Sequence, residues 1–288
     1  MEKAKVYFTK EISSKGLVRI YKVLNVELQN KVAVKLSTGE PGGHNFLQPE
    51  MIQDLVSEID GTIVECNTAY GGPRSTTESH WKVMKQHGFM DIAPCDIMDG
   101  ESEIVLPVHG GRHLKNNYVG ANLQNYKSIL MLSHFKGHIM GGFGGALKNM
   151  SIGIASAHGK SQIHNAGSIL GISRQDAFLE AMAEACKSVV DYMGRENIVY
   201  INVANRLSVD CDCDSHPAEP KMADIGIFAS SDPVAIDQAC VDAVYNSPDP
   251  GKKDLIKRIE SRNGIHIVET AEKLGLGTRG YEIITIKI

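Results

Sequence analysis

Short apolar runs alternate with longer stretches of helical spacing along most of this chain, and that alternation restricts its fold more than any other feature. Residues 31–36 (KVAVKL), 62–66, 128–132 (SILML), 198–203, 224–229 and 281–286 read as strands. Between them, 49–59 places Met51, Ile52, Leu55, Val56 and Ile59 on one helix face. Residues 76–87 form a second helical pattern closed by Gly88, and 174–193 form the longest one. The pattern at 233–244 starts after Asp232 with proline in its first turn, and shorter ones follow at 253–261 and 267–274. Residues 103–108 and 117–121 flank Gly110-Gly111 and predict a hairpin. Strands separated by helices pair in parallel, because the helix carries the chain back to the starting edge. The expectation is an α/β fold of mostly parallel sheets flanked by helices, as one domain over 1–288. The bend at 88–100 is the only candidate boundary between two lobes.

Apolar content of 42% and charged content of 22% are ordinary for a folded globular chain. The net charge is −4 and the basic residues are scattered, which argues against nucleic acid or an anionic membrane as partner. The opening residues MEKAKVYFTKEI lack the apolar stretch of a signal peptide, and no run reaches the roughly 18 apolar residues of a membrane span. Six cysteines, four of them scattered singly, make no disulfide framework, so a cytoplasmic location with reduced thiols is expected, the pair Cys211 and Cys213 excepted.

Two segments concentrate the chemistry. Residues 133–165 gather His134, His138, His158 and His164, three lysines (Lys136, Lys148, Lys160) and a Gly-Gly-x-Gly-Gly turn that includes Gly144 and Gly145. Glycine lets a backbone approach a ligand closely, histidine ligates metals or moves protons near neutral pH, and a desolvated lysine is an amine nucleophile. His134 lies just beyond a buried strand, where open α/β sheets form their pockets. The second segment is Cys211-Asp-Cys213-Asp-Ser-His216, with two thiols on one loop and His216 as the nearest third ligand. Its plainer alternative is a buried loop with two incidental cysteines. Arg74, after a Gly-Gly-Pro turn, is placed to grip a carboxylate or phosphate with its fork. His44 and His80 are better explained as structural, Asp232 as a helix cap, and Cys66 as a small core residue, with reach to the site from its strand end as the alternative.

HFKGHIMGGFGGALKN (134–149), CDC (211–213) and DIGIFASSDPVAIDQA (224–239) resemble the family catalogued as domain of unknown function 362, over nearly the whole chain. Members of that family often carry an iron–sulfur ferredoxin insert. No C-x2-C-x2-C-x3-C run exists here, so that module is absent. A more distant resemblance is to the nickel-pincer lactate racemases, whose fold has two lobes. In them a lysine carries a nickel-pincer nucleotide, with a catalytic histidine ten positions before it and a nickel-ligating histidine sixteen after. His138 and His164 stand at those offsets from Lys148. Two positions depart from that pattern. Pro73 occupies the place of the second catalytic histidine, and Glu40 replaces the arginine of the carboxylate clamp, so lactate racemisation itself is not expected.

These readings converge on a metal centre, an iron–sulfur cluster or another thiolate-ligated metal, held by Cys211, Cys213 and His216. Its use would be redox or small-molecule chemistry on an anionic substrate, with a redox protein as partner. Lys148, Arg74, His134, Gly144 and Gly145 would bind substrate or cofactor, while His138 or His164 moves a proton. The alternatives are a pincer enzyme, with cofactor on Lys148 and His164 on nickel, and a non-catalytic module clipped by zinc. If the lysine segment and the thiol loop face one hollow there is one centre; if they lie on opposite faces there are two separate sites.

Overall fold

Strands Val32–Lys35, Ser128–His134 and Ile198–Ala204 are buried at every position. Strands covered on both faces belong inside a sheet with helices on either side. The computed structural model describes residues 3–168 and 173–287 and has that architecture. In chain order the elements are β1 (Ala4–Thr9), α1 (Ser14–Val23), β2 (Val32–Lys35), α2 (Pro49–Glu58), β3 (Gly61–Glu65), α3 (Thr77–Gln86), α4 (Phe89–Ile92) and β4 (Cys95–Ile97). A hairpin of β5 (Glu103–Pro107) and β6 (Asn116–Gly120) leads to β7 (Ser128–His134), then the short pair β8 (Lys136–His138) and β9 (Gly142–Gly144). Next come α5 (Ala146–Ser151), α6 (Ala157–His164), α7 (Gln175–Met193), β10 (Ile198–Ala204) and β11 (Gly226–Ser230). Helices α8 (Pro233–Asn246), α9 (Lys252–Ser261) and α10 (His266–Lys273) precede β12 (Tyr281–Thr285).

The main sheet has eight strands in the order β12-β1-β11-β10-β7-β2-β3-β4. From β10 to β4 every pairing is parallel, β11 runs against both neighbours, and β12 is parallel to β1. This is the mostly parallel α/β fold expected from the alternation of strands and helices. Side chains alternate between the two faces. Leu130 and Leu132 join Val34 and Ile201 on the face covered by α1 and α2. Ile129 and Met131 join Tyr200 on the face covered by α5, α7 and α8. Among the described residues, no helix is long and apolar enough to cross a membrane.

The histidine-rich segment folds more regularly than its sequence suggests, into the β8–β9 pair and helices α5 and α6. Asp237, buried in α8, fixes the first of these helices. Its carboxylate accepts the backbone N–H groups of Ala146 (2.7 Å) and Leu147 (2.9 Å) and the Asn202 amide of β10 (2.8 Å). A Cβ on Gly145 would run into that carboxylate, so this glycine serves the joint between α5 and α8. Burial pushes the Asp237 carboxyl up to about 6. Asp232 caps α8 as expected, accepting from Val234 and Ala235 (both 2.9 Å). Asp237→Ala leaves two buried N–H groups without an acceptor and the Asn202 amide with only the Cys240 sulfur (3.5 Å). The expected loss is about 3 kcal/mol of unfolding free energy, read by chemical denaturation against wild type.

Candidate active site

The carboxyl ends of β2, β3 and β7 open into a cavity of about 310 Å³. Open α/β sheets place ligands at this end of the strands. Lys35 ends β2, Glu65 ends β3, and Ser133 and His134 end β7; all four line the cavity. The opposite wall comes from β8, β9, α5, α6 and the loop of Cys211 and Cys213. The lysine segment and the thiol loop therefore share one hollow.

Backbone contact brings the thiol loop there. Gly137 donates its N–H to the Ser208 carbonyl (2.8 Å), and a Cβ at 137 would collide with the Val209 carbonyl. Glu40 donates its N–H to the Asp212 carbonyl (2.9 Å), tying the loop to the segment after β2. Asp212 then locks the loop through its side chain, accepting from His134 Nδ1 (2.8 Å) and Lys136 Nζ (2.6 Å). Burial alone would raise its pKa, but the His134 and Lys136 charges and hydrogen bonds hold it well below the usual carboxylate range.

Cys211 and Cys213 are joined as a disulfide in this structure, their Cα atoms 5.1 Å apart. The two sulfurs and a ring nitrogen of His138 lie within 4.8 Å of one another. His138 Nδ1 accepts backbone N–H groups from Gly141 (2.8 Å) and Met140 (3.2 Å), which leaves the proton of the neutral ring on Nε2. Burial, reinforced by Lys148 and Lys136, keeps the His138 pKa well below its ordinary value. His164 has the opposite tautomer. Its Nδ1–H donates to the Lys160 carbonyl (2.6 Å), so Nε2 keeps its lone pair. Burial lowers its pKa too, and the ring stacks on Phe178 with centroids 4.9 Å apart.

The lining carries five cationic side chains against two carboxylates, Glu65 and Asp212. Three cations are tied to acids. Lys35 bonds Glu65 (2.9 Å), Lys136 bonds Asp212, and Arg74 bonds Glu40 (2.9 Å) and Glu65 (3.3 Å). Burial would raise Glu65, yet Lys35 and Arg74 bring it down to about 2. Among the described residues, Lys160 Nζ donates only to the Ala155 carbonyl (2.6 Å). Lys148, half-buried in the cavity wall, has no hydrogen-bond or ion-pair partner among the described residues. Burial, then the neighbouring Lys136 charge, lowers its pKa to about 7.

Thus His138, His164, Lys148, Cys211, Cys213, Gly144 and Gly145 all line one cavity. Three expectations need correction. Arg74 lines the cavity, but three of its five N–H donors are spent on Glu40, Glu65 and the Tyr70 hydroxyl, so most of its fork organises the wall. Glu40, the acid in the clamp position, is the partner that neutralises it. His134 has Asp212 at one nitrogen and the Asn205 carbonyl (2.7 Å) at the other, so it fastens the loop and has no nitrogen free for cofactor. His216 lies outside the cavity lining with its ring against Ser215, and the histidine whose ring nitrogen lies near the two sulfurs is His138. His158 and His44 pair with Glu103 and Glu219 on the surface. Buried His80 bonds Asn67 rather than the cavity, whereas Cys66 does reach its wall. Sequence reasoning missed Gly137 and Glu65, and read Asp212 as an acid beside a bound cation rather than as the partner of His134 and Lys136. The one local signal was an acid set between two cysteines.

The folded protein holds the Lys148 proton less tightly than the unfolded chain does. The charged amine therefore costs stability below about pH 7, and this cost fades as pH rises toward 10.5. After discounting for its contact with the cavity, Lys148→Met is expected to add about 2 kcal/mol at pH 6 and little at pH 10, read by denaturant unfolding.

No curated protein sequence matches the chain. Among solved structures, the lactate racemase apoprotein from Thermoanaerobacterium thermosaccharolyticum aligns over 83% of this chain and 56% of its own, at 14% identity and a TM-score of 0.49. A structural-genomics protein from Thermotoga maritima aligns over 81% of this chain and 58% of its own, at 13% identity and a TM-score of 0.45. The chain thus spans somewhat more than half the length of each. Residues 32–242, most of the sequence, match the family described as Domain of unknown function (DUF362), and the protein belongs to that family.

Proposed function

We propose that the protein is an enzyme that transforms a small anionic molecule beside a thiolate-ligated metal. The observation that supports this best is the single cavity in which Cys211, Cys213 and His138 converge while cations outnumber acids. Once reduced, two thiols and an imidazole form the soft, mixed donor set that suits zinc, iron or nickel. Three protein ligands leave a coordination position open, as catalytic sites do. A cluster held by four cysteines does not fit. Only Cys66 joins the pair on the cavity wall, and its thiol, raised by burial to about 12, donates to the Ile154 carbonyl (3.4 Å).

A bound metal would supply Lewis acidity or, for iron or nickel, redox chemistry. The chain's own residues would do the rest. Lys160 and Lys148, the cations without an acid partner, would hold the anionic substrate, and the buried walls would exclude water. His164, with its Nε2 lone pair, would take up a proton. Metal binding through His138 Nε2 must displace the proton which the Gly141 and Met140 contacts place there. The nickel-pincer alternative would instead use the free Lys148 amine and the His164 lone pair, and intact mass of the purified protein tests it directly.

The metal reading predicts about one equivalent of tightly bound transition metal after anaerobic reduction and reconstitution, measured by elemental analysis. Cys211→Ser and Cys213→Ser should each lower affinity at least 10-fold. Equal metal content in both variants and wild type would reject it.

A further inference from the structure

Four lysines surround the cavity, and the structure treats one of them differently. Lys35 is held by Glu65, Asn149 and the Leu36 carbonyl, Lys136 by Asp212 and the His134 carbonyl, and Lys160 by the Ala155 carbonyl. Each of those amines has its lone pair or protons engaged. Among the described residues, Lys148 is the one of the four that reaches the same space with its nitrogen uncommitted, on a helix that Asp237 fixes at its start. An amine kept unpaired among cations gains nothing for the fold, but it is the arrangement that a carbonyl-attacking lysine requires.

We propose that Lys148 forms an imine with the keto carbon of a small 2-oxo acid whose carboxylate is held by Lys160. This rests on reading the cavity as a site for an anionic substrate and narrows the class of that substrate. The Nζ–C bond forms, the C=O bond breaks, and the oxygen leaves as water. Starting from the ammonium, two of its three protons leave in that water and the positive charge ends on the iminium, so no oxidant or reductant is needed. His164 lines the cavity and its Nε2 keeps the lone pair; it takes a proton from the attacking amine and returns it to the departing hydroxyl. A lowered amine pKa, caused by burial and by Lys136, keeps part of Lys148 neutral and nucleophilic near pH 7.

Reductive trapping tests this. The protein as purified is incubated with pyruvate or glyoxylate and borohydride, then analysed by intact mass and peptide mapping. The expected result is one saturable mass gain, equal to the acid less one oxygen, located on Lys148. It should be suppressed by excess propionate and lost in Lys148→Arg. Lys160→Gln should still be trapped at Lys148, with half-saturation raised about tenfold. Trapping spread over many lysines, none at Lys148, or a permanent modification already on that amine would overturn the proposal. Metal content measured on the same sample separates the two readings. Trapping at Lys148 in chelator-treated, metal-free protein supports the imine without the metal, while a metal-loaded protein that traps nothing at Lys148 removes only the imine.

Discussion

A single carboxylate, Asp212, holds the site together. It sits between the two cysteines and receives a histidine from the end of β7 and a lysine from β8, at 2.8 and 2.6 Å. Removing two charged partners and a carboxylate from water is costly, and good geometry with both oxygens satisfied offsets that cost. The result is a loop whose position is set by the main sheet rather than by its own conformation. His138 follows Lys136 on the same short strand, so the clamp that orients the sulfurs also orients the imidazole facing them.

Cation pairing divides the cavity into structural and chemical parts. The Arg74–Glu40–Glu65–Lys35 network is buried and internally neutralised, and it gives the wall on the β2–β3 side its shape. On the other side, Lys148 and Lys160 lie on short helices without an acid within bonding distance. A stability argument alone would pair or remove such groups. Their persistence at the carboxyl edge of a parallel sheet is the kind of local violation found where function imposes on folding.

Much of this architecture was legible in the sequence, for a physical reason. Strands buried on both faces are written as apolar runs, and β2, β7 and β10 could be read directly. By contrast β1 mixes charged and apolar residues beside the edge strand β12, and β8 and β9 are three residues each, too short for any period to show. At the site, residue type and spacing located His138, Lys148, His164 and the cysteines. They did not reveal which polar groups would occupy one another. That Arg74 meets Glu40 and His134 meets Asp212 depends on contacts across 34 and 78 positions, which no local pattern carries. His216 failed as a ligand for the converse reason: adjacency in sequence placed it near the thiols, but the chain turns its ring toward Ser215.

Because β2, β3, β7 and the segment after β10 each supply part of the wall, the hollow exists only once distant stretches of chain have met. Loop closure over such separations is slow and entropically costly, so the cavity should be among the last features to mature during folding. A molecule that fits it would bridge both halves of the chain. Its binding energy would then register as resistance of the entire protein to unfolding, rather than as the tightening of one surface loop.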